Sequence, residues 1–554
     1  MAGRNGKRGK TMLIGLDGAT YTVIRPAIER GELPNLRTLM EQGSSGILKS
    51  TYPPVSPVAW TSCMTGANPA KHGILDFMEP IVNGELGIRL NNRNDCKAKP
   101  IWRHLEVDGY KSVIVNVPMT YPPDKLDGVM VSGMDAPGPD SAYTYPPEIK
   151  QALNQAADKY ILDVTDTPDH DSNPEKFLTQ LLDMVDSRRK AVKHLMETVD
   201  WDFFMIVFMA SDRAQHSLWE HMDPTHPRHV DGTSDRLQDG IPAVYRALDE
   251  AVGEILERLD DDTNVVLMSD HGFGPVHTSV ALEDFLIDKG YLALKKGTRS
   301  PSVVQKALNF FEDVGRQISR RLGSYRGKNF QFFKTMDWEN TKAFFVGSTP
   351  KVFIAQKGRF PEGCVEPGEE YEAVRAKLIE DLKALRDPKT NEPVIEEILL
   401  REDIYTGKAY EVAADLIIRW KPGYDTITRV NVLRNGVGTV RAPLFSPHRM
   451  WSGDHMPDGI FAVRAPGVKK NLDGLTASIM DICPTILHMM GVKVPASIDG
   501  EVLERIFDED YLSGHAPEYY DDGDEGVAVS AGEGYSDEEE TQIEERLKGL
   551  GYLD

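Results

Sequence analysis

Three apolar runs of the sequence end in aspartate: MLIGLDGAT at Asp17, FFMIVFMASDRAQH at Asp212, and VVLMSDHGFG at Asp270, which His271 follows directly. Asp212 and His216 are four residues apart and share one face if a helix begins there. WSGDHMPDGIF adds His455 just before another apolar run. Taken singly, Asp17 and Asp212 read equally well as helix caps, and a lone histidine as a hydrogen-bonded residue. Taken together, three aspartates and three histidines without a thiolate suit a pair of borderline divalent ions, Zn²⁺ first, with Mn²⁺ or Fe as alternatives.

A second stretch carries hydroxyls. STYPPVSPVAWTSCMTGANPAKHG, Ser50 to Gly73, combines serines and threonines with a proline run, a Thr-Gly pair and a Lys-His-Gly ending. Pro, Gly, Asn and Ser cluster in ordinary turns, so the segment reads either as plain loop chemistry or as a nucleophile loop.

The elements that would bring these residues together are short apolar runs alternating with helical patterns, the sequence habit of an α/β fold with a largely parallel sheet. Strands are expected at TMLIGL, SVIVNV, FFMIVF, NVVLM, AFFVG, DLIIRW and GIFAV, and helices at IPAVYRALDEAVGEILERLDD and DICPTILHMMG. In open α/β sheets sites form at the carboxyl ends of strands, so the aspartates are expected to converge. The core is divided as 11–136, 201–290 and 411–510. Cap insertions are expected at 137–200 and 291–410, and an acidic linker with a short terminal helix at 511–554. Within the second insertion, SVVQKALNFFEDVGRQISRRLGSYRGK reads as a basic amphipathic helix near 303–322. Such a helix packs on its own protein more often than on a membrane.

Composition narrows the function classes. At 554 residues, with 40% hydrophobic and 27% charged, the chain reads as globular. It has no apolar run of the roughly 18 residues a membrane span needs and no long apolar core behind its basic start, so a cytoplasmic protein is expected. The four cysteines form no CxxC pair, which argues against a disulfide framework or a thiolate zinc site. A net charge of −23 argues against nucleic-acid coating. Part of that charge is local, since PEYYDDGDEGVAVSAGEGYSDEEE has ten acidic residues and no Lys or Arg. The following TQIEERLKGLGYLD regains an amphipathic pattern through Ile543, Leu547 and Leu550.

The order Asp, then a hydroxyl before TG…P…HG, then DxxxH, DHG and GxH resembles the alkaline phosphatase superfamily, in its type I phosphodiesterase/nucleotide pyrophosphatase branch. The resemblance spans residue 12 to about 275 and returns near 455. It implies an alkaline-phosphatase-like α/β core, mostly parallel sheet flanked by helices, with cap insertions. In that branch the nucleophile lies nine residues before the Thr of the Thr-Gly pair, which falls on Ser56. The resemblance also implies one metal on Asp212, His216 and His455, and a second on Asp17, Asp270, His271 and the Ser56 hydroxyl. The expected function is hydrolysis of a small-molecule phosphate ester, a diester ahead of a monoester, through a phosphoserine. The match departs at Phe77, where the branch usually has an Asn that donates to the phosphoryl oxygen. Sulfatases share the fold but need Arg where this chain has Trp60, and the nucleophile context of cofactor-independent phosphoglycerate mutase does not resemble VSPVAW. Lys71, Arg213, His277 and Arg449 are candidate substrate-binding groups. A phosphomonoesterase or phosphonate monoesterase is the alternative, followed by a membrane-associated phosphotransferase or a silent binding protein. An intact set of buried polar groups argues against the last.

Overall fold

The computed structural model describes residues 9–82, 85–164, 173–295, 333, 335–346, 349–426, 432–433, 436–437, 443–523 and 535–549. The basic helix expected near 303–322 lies outside the described residues, as do 524–534 of the acidic stretch and Leu550.

Nine strands form the central sheet. In chain order they are β1 (Thr11–Leu16), β2 (Ser44–Lys49), β3 (Ser112–Val117), β4 (Gly128–Ser132), β5 (Thr144–Tyr145), β6 (Phe203–Phe208), β7 (Asn264–Met268), β8 (Asp458–Arg464) and β9 (Leu472–Ser478). Their order across the sheet is β9-β2-β8-β7-β1-β6-β3-β4-β5. The run from β7 to β4 is parallel throughout, while β8 and β5 are antiparallel to their neighbours. β1, β3, β6 and β7 are buried at every position. Their near-continuous apolar sequences follow from helices covering both faces of a parallel sheet. The α/β class with a mostly parallel sheet is as expected.

The helices that matter for the site are α1 (Ser56–Thr65), α2 (Pro174–Thr198), α3 (Ala210–Met222), α4 (Gly240–Leu256), α5 (Ile482–Met489) and α6 (Asp537–Gly549). α2, α3 and α4 pack on one another, and α5 packs on α1. Of residues 137–200, read from sequence as an insertion, β5 pairs with β4 at the sheet edge and α2 packs against β6.

Within 291–410 and just beyond it lies a second, antiparallel sheet in the order Ala343–Phe345, Lys351–Ile354, Leu416–Trp420, Ile395–Leu400, with helix Glu369–Lys383 against it. It is tied to the core by a buried ion pair, Lys351 on Asp76, to which Thr349 also donates at 2.8 Å. Asp76 belongs to the HGILD stretch that follows α1, so the added sheet is anchored beside the hydroxyl segment.

α6 begins four residues before the expected start and buries Ile543. Tyr535 stacks on Tyr121 at 5.9 Å, and Arg546 donates to the Met134 carbonyl. No helix among the described residues is long and apolar enough to cross a membrane.

Candidate active site

The three aspartates converge because their strands are neighbours. β1 lies between β6 and β7, all parallel, with Gly15 level with Val207 on one side and Met268 on the other. The residues that follow these strands therefore emerge at one edge of the sheet, as the strand-end rule requires. Asp17 leads into Gly18, whose φ of +66° suits glycine, and whose N–H donates to Asp270 Oδ1 at 3.2 Å. Asp212 and His216 both lie on α3, one turn apart. His455 sits in strand Gly453–Met456, opposite Phe273 of the strand that follows His271.

The hydroxyl segment is a helix, which corrects the loop expected for Ser56 and its neighbours. All ten residues of α1 are buried, so no amphipathic period marks it in the sequence. Pro57 opens it, where its missing N–H costs nothing. Thr61 and Thr65 donate back to the carbonyls four residues earlier, each at 2.6 Å, and Ser62 is bonded to His72 at 2.9 Å. Ser56 is left at the helix N-terminus, with its Oγ 3.5 Å from His271 Nε2.

His72 Nδ1 accepts from the Ile74 N–H, so its Nε2–H is the donor to Ser62. Burial lowers this imidazole from its ordinary 6.5 to about 3, and His104 and His448 likewise to about 4. Below pH 6.5 the unfolded chain takes up protons that the folded chain refuses. Stability should therefore fall as pH drops from 6.5 toward 4, by up to ~1.4 kcal/mol per pH unit for each such histidine. Urea midpoints between pH 7 and 5 would measure the slope, and His72→Gln should flatten it by about one proton's worth.

The candidate ligand atoms form a compact, largely buried cluster. His455 Nε2 is 3.2 Å from Asp212 Oδ1 and 3.0 Å from His216 Nε2, and His216 Nε2 is 3.4 Å from Asp212 Oδ1. His271 Nε2 is 3.3 Å from Asp270 Oδ2 and 3.7 Å from Asp17 Oδ1. Burial, reinforced by the neighbouring carboxylates, pushes Asp17 well above the usual carboxylate range, and burial does the same for Asp270. Asp212 is equally buried, but His216, His455 and Arg213 outweigh that and hold it well below. Burial, with His455 beside it, lowers His271 to about 4.

These residues fit divalent cations. Asp17 Oδ1 and Asp270 Oδ2 are buried without a hydrogen-bond donor. His216 Nδ1 and His271 Nδ1 donate to the carbonyls of Gly453 and Gly272, which turns both Nε2 lone pairs toward carboxylate oxygens. Lone pairs facing lone pairs at such distances call for positive charge between them, a shared proton or a divalent cation. Asp17, Asp270 and His271 lie together, and so do Asp212, His216 and His455. Asp212 and His455 also lie within ligand reach of His271.

Two supporting residues were not foreseen. Trp60 Nε1 donates to Asp17 Oδ2 at 2.8 Å, and the indole fits only because Gly15 has no side chain, since a Cβ there would lie 2.3 Å from the ring. Asp454 joins His216 and His455 in a third group within ligand distance; its position in GDH, next to a candidate ligand, was the signal available in the sequence.

The four candidate substrate-binding groups do not join the cluster. Lys71 donates to the Ser497 carbonyl at 2.6 Å and to Asp499 at 2.8 Å, tying the turn Pro69–His72 after α1 to residues 497–499. Arg213 is buried behind the site and bridges Asp212 at 2.9 Å and Asp163 at 3.0 Å. His277 is bonded to Thr278 and lies against His226 and Tyr424. Arg449 is exposed. Beside the cluster opens a pocket bounded by His216 and His455, by Val55 and Phe77 near α1, and by Ile418 and Trp420 of the added sheet.

No curated protein matches the chain. Among solved structures, phosphonoacetate hydrolase from Sinorhizobium meliloti 1021, in complex with phosphonoformate, is similar at 14% identity and a TM-score of 0.50, over 88% of this chain and 96% of that one. A mutant of alkaline phosphatase PafA is similar at 14% identity and 0.51, over 91% and 100%. Human ectonucleotide pyrophosphatase/phosphodiesterase 5 is similar at 12% identity and 0.49, over 90% and 100%. The likeness to the first two shows an alkaline-phosphatase-like fold. Residues 11–436 of the 554 match the model of type I phosphodiesterase/nucleotide pyrophosphatase, so the chain belongs to that family and is a phosphoric ester hydrolase.

Proposed function

We propose that the protein is a phosphodiesterase acting through a phosphoserine on Ser56, with one divalent ion held by Asp212, His216 and His455 and another by Asp17, Asp270, His271 and Ser56 Oγ. The observation that carries this reading is Ser56 Oγ at 3.5 Å from a His271 lone pair that faces carboxylate oxygens without donors. The all-oxygen-and-nitrogen donor set suits Zn²⁺, with Mn²⁺ or Fe as alternatives. Two such ions, when bound, supply Lewis-acid activation of the hydroxyl and neutralise charge on the phosphoryl and leaving oxygens.

The chain supplies the rest. Ser56 Oγ attacks phosphorus from the N-terminal end of a ten-residue helix, where the aligned peptide dipoles favour negative charge. The ester oxygen on the far side leaves, and water then cleaves the phosphoserine. Arg213 occupies Asp212 Oδ2 and leaves Oδ1 turned to the histidines. Trp60 does the same for Asp17, holding Oδ2 and leaving Oδ1 for the cluster.

Metal content, and rates on a bis-aryl phosphodiester beside the matched monoester, test this reading. About two ions per chain and faster diester turnover are expected; faster monoester turnover would favour the phosphomonoesterase alternative. Trp60→Phe should keep the ring in place and lose only the bond to Asp17. Its metal affinity, read by chelator competition, should weaken by ~10–100-fold, as when an outer-shell partner is removed.

A further inference from the structure

We propose that the pocket beside the cluster receives the leaving alcohol of the phosphodiester, and that this alcohol is bulky, apolar and uncharged. This rests on the Ser56 reading above. Ser56, Asp17, Asp270 and His271 are fully buried, and the pocket meets the cluster at His216 and His455. Ser56 stands with the Asp17–Asp270–His271 group. An in-line displacement places the entering and leaving oxygens on opposite sides of phosphorus. With Ser56 entering on one side, the departing oxygen lies toward His216 and His455, and its organic group extends into the pocket. The Ser56 Oγ–P bond forms as the P–O bond to the alcohol breaks, and the proton Ser56 gives up balances the one the alkoxide takes up.

The wall chemistry selects the group. Phe77, Trp420 and Trp451 face the space, and Pro53, Pro54 and Pro350 line it with backbone that has no N–H to offer. Arg419, the arginine of the lining, is already paired with Glu397 at 2.9 Å. Asp425 brings a carboxylate to the wall away from the candidate ligands, and it repels an anionic group. A pyrophosphate or nucleotide leaving group would meet that carboxylate at the far wall, where it needs a cation. Residues from the entry to α1, from the core and from the added sheet line the pocket, so an organic group larger than a methyl meets wall on several sides. Much of the wall comes from the added sheet, through Pro350, Ile418 and Trp420, which the Asp76–Lys351 pair fastens to the core.

The test uses the metal-loaded full chain and three methyl phosphodiesters whose leaving phenols have matched acidity: one small, one with a large apolar substituent, one with an equally large carboxylate-bearing substituent. The apolar ester should exceed the small one in kcat/KM by ~10–100-fold, the range that burial of a few methylenes supplies, and the carboxylate ester should fall below both. Trp451→Ala and, on the added sheet, Trp420→Leu should each cut the apolar-to-small ratio by about tenfold or more. Equal kcat/KM for all three esters, or a preference for the carboxylate ester, overturns the inference while leaving the phosphodiesterase reading standing. Failure to hydrolyse any of them overturns that reading first, so the two failures are distinguishable. The wild-type series alone decides the matter if either variant fails to fold.

Discussion

Ser56→Ala is expected to lower kcat by at least ~10³-fold while leaving metal content unchanged, as when the nucleophile of a covalent mechanism is removed. Three other hydroxyls lie on the same helix, and the geometry separates them from Ser56. Thr61 and Thr65 are spent on carbonyls of their own helix, and Ser62 on His72. Ser56 alone of the four is placed against His271. The fitting control is Ser62→Ala, which should keep turnover and change the acid stability that His72 governs. Metal analysis and single-turnover rates measure both variants, and trapping of phosphorylated protein at low pH should succeed with wild type and fail with Ser56→Ala. Full activity in Ser56→Ala would remove the phosphoserine and require direct attack by water.

The part of the site that was legible in the sequence is the part built by parallel strands. β1, β6 and β7 are apolar throughout because both faces are covered, so an aspartate within four residues of each strand end stands out. The pair Asp212 and His216 was legible because helical spacing is fixed by backbone geometry. Elements without a one-sided pattern were missed. β2 is SSGILK, with buried serines, one of which donates to the Lys469 carbonyl. β9 is LDGLTAS, half exposed at the sheet edge. α1 reads as a loop because a fully buried helix has no polar face, and its hydroxyls satisfy themselves internally. Tertiary partnerships were also beyond sequence reasoning: Trp60 holding Asp17 across 43 residues, Arg213 turned inward to Asp163, and the wall that the added sheet lends to the pocket.

The second large effect is expected at Asp270, where the metal-free and metal-loaded proteins should respond in opposite directions. Asp270 and Asp17 are fully buried near Asp212, and both sit well above the usual carboxylate range because of it. Without a cation, holding these carboxylates together costs stability, since a buried charge that lacks a partner is penalised by several kcal/mol. Asp270→Asn removes one of the charges and keeps an oxygen to accept the Gly18 N–H. The metal-free variant should thus be as stable as the metal-free wild type, or more stable by ~1–3 kcal/mol. In the loaded protein the balance reverses, because ions that bind only the folded state stabilise it by about 4 kcal/mol at a thousandfold excess over Kd. The variant should lose one metal equivalent, that stabilisation, and at least ~10³-fold in turnover. Unfolding curves with and without chelator, on wild type and variant, form a cycle whose sign change is the result sought. If Asp270→Asn destabilises both forms equally, the carboxylate serves the Gly18 turn rather than an ion, and the Asp17–Asp270–His271 set must be given up as a metal site.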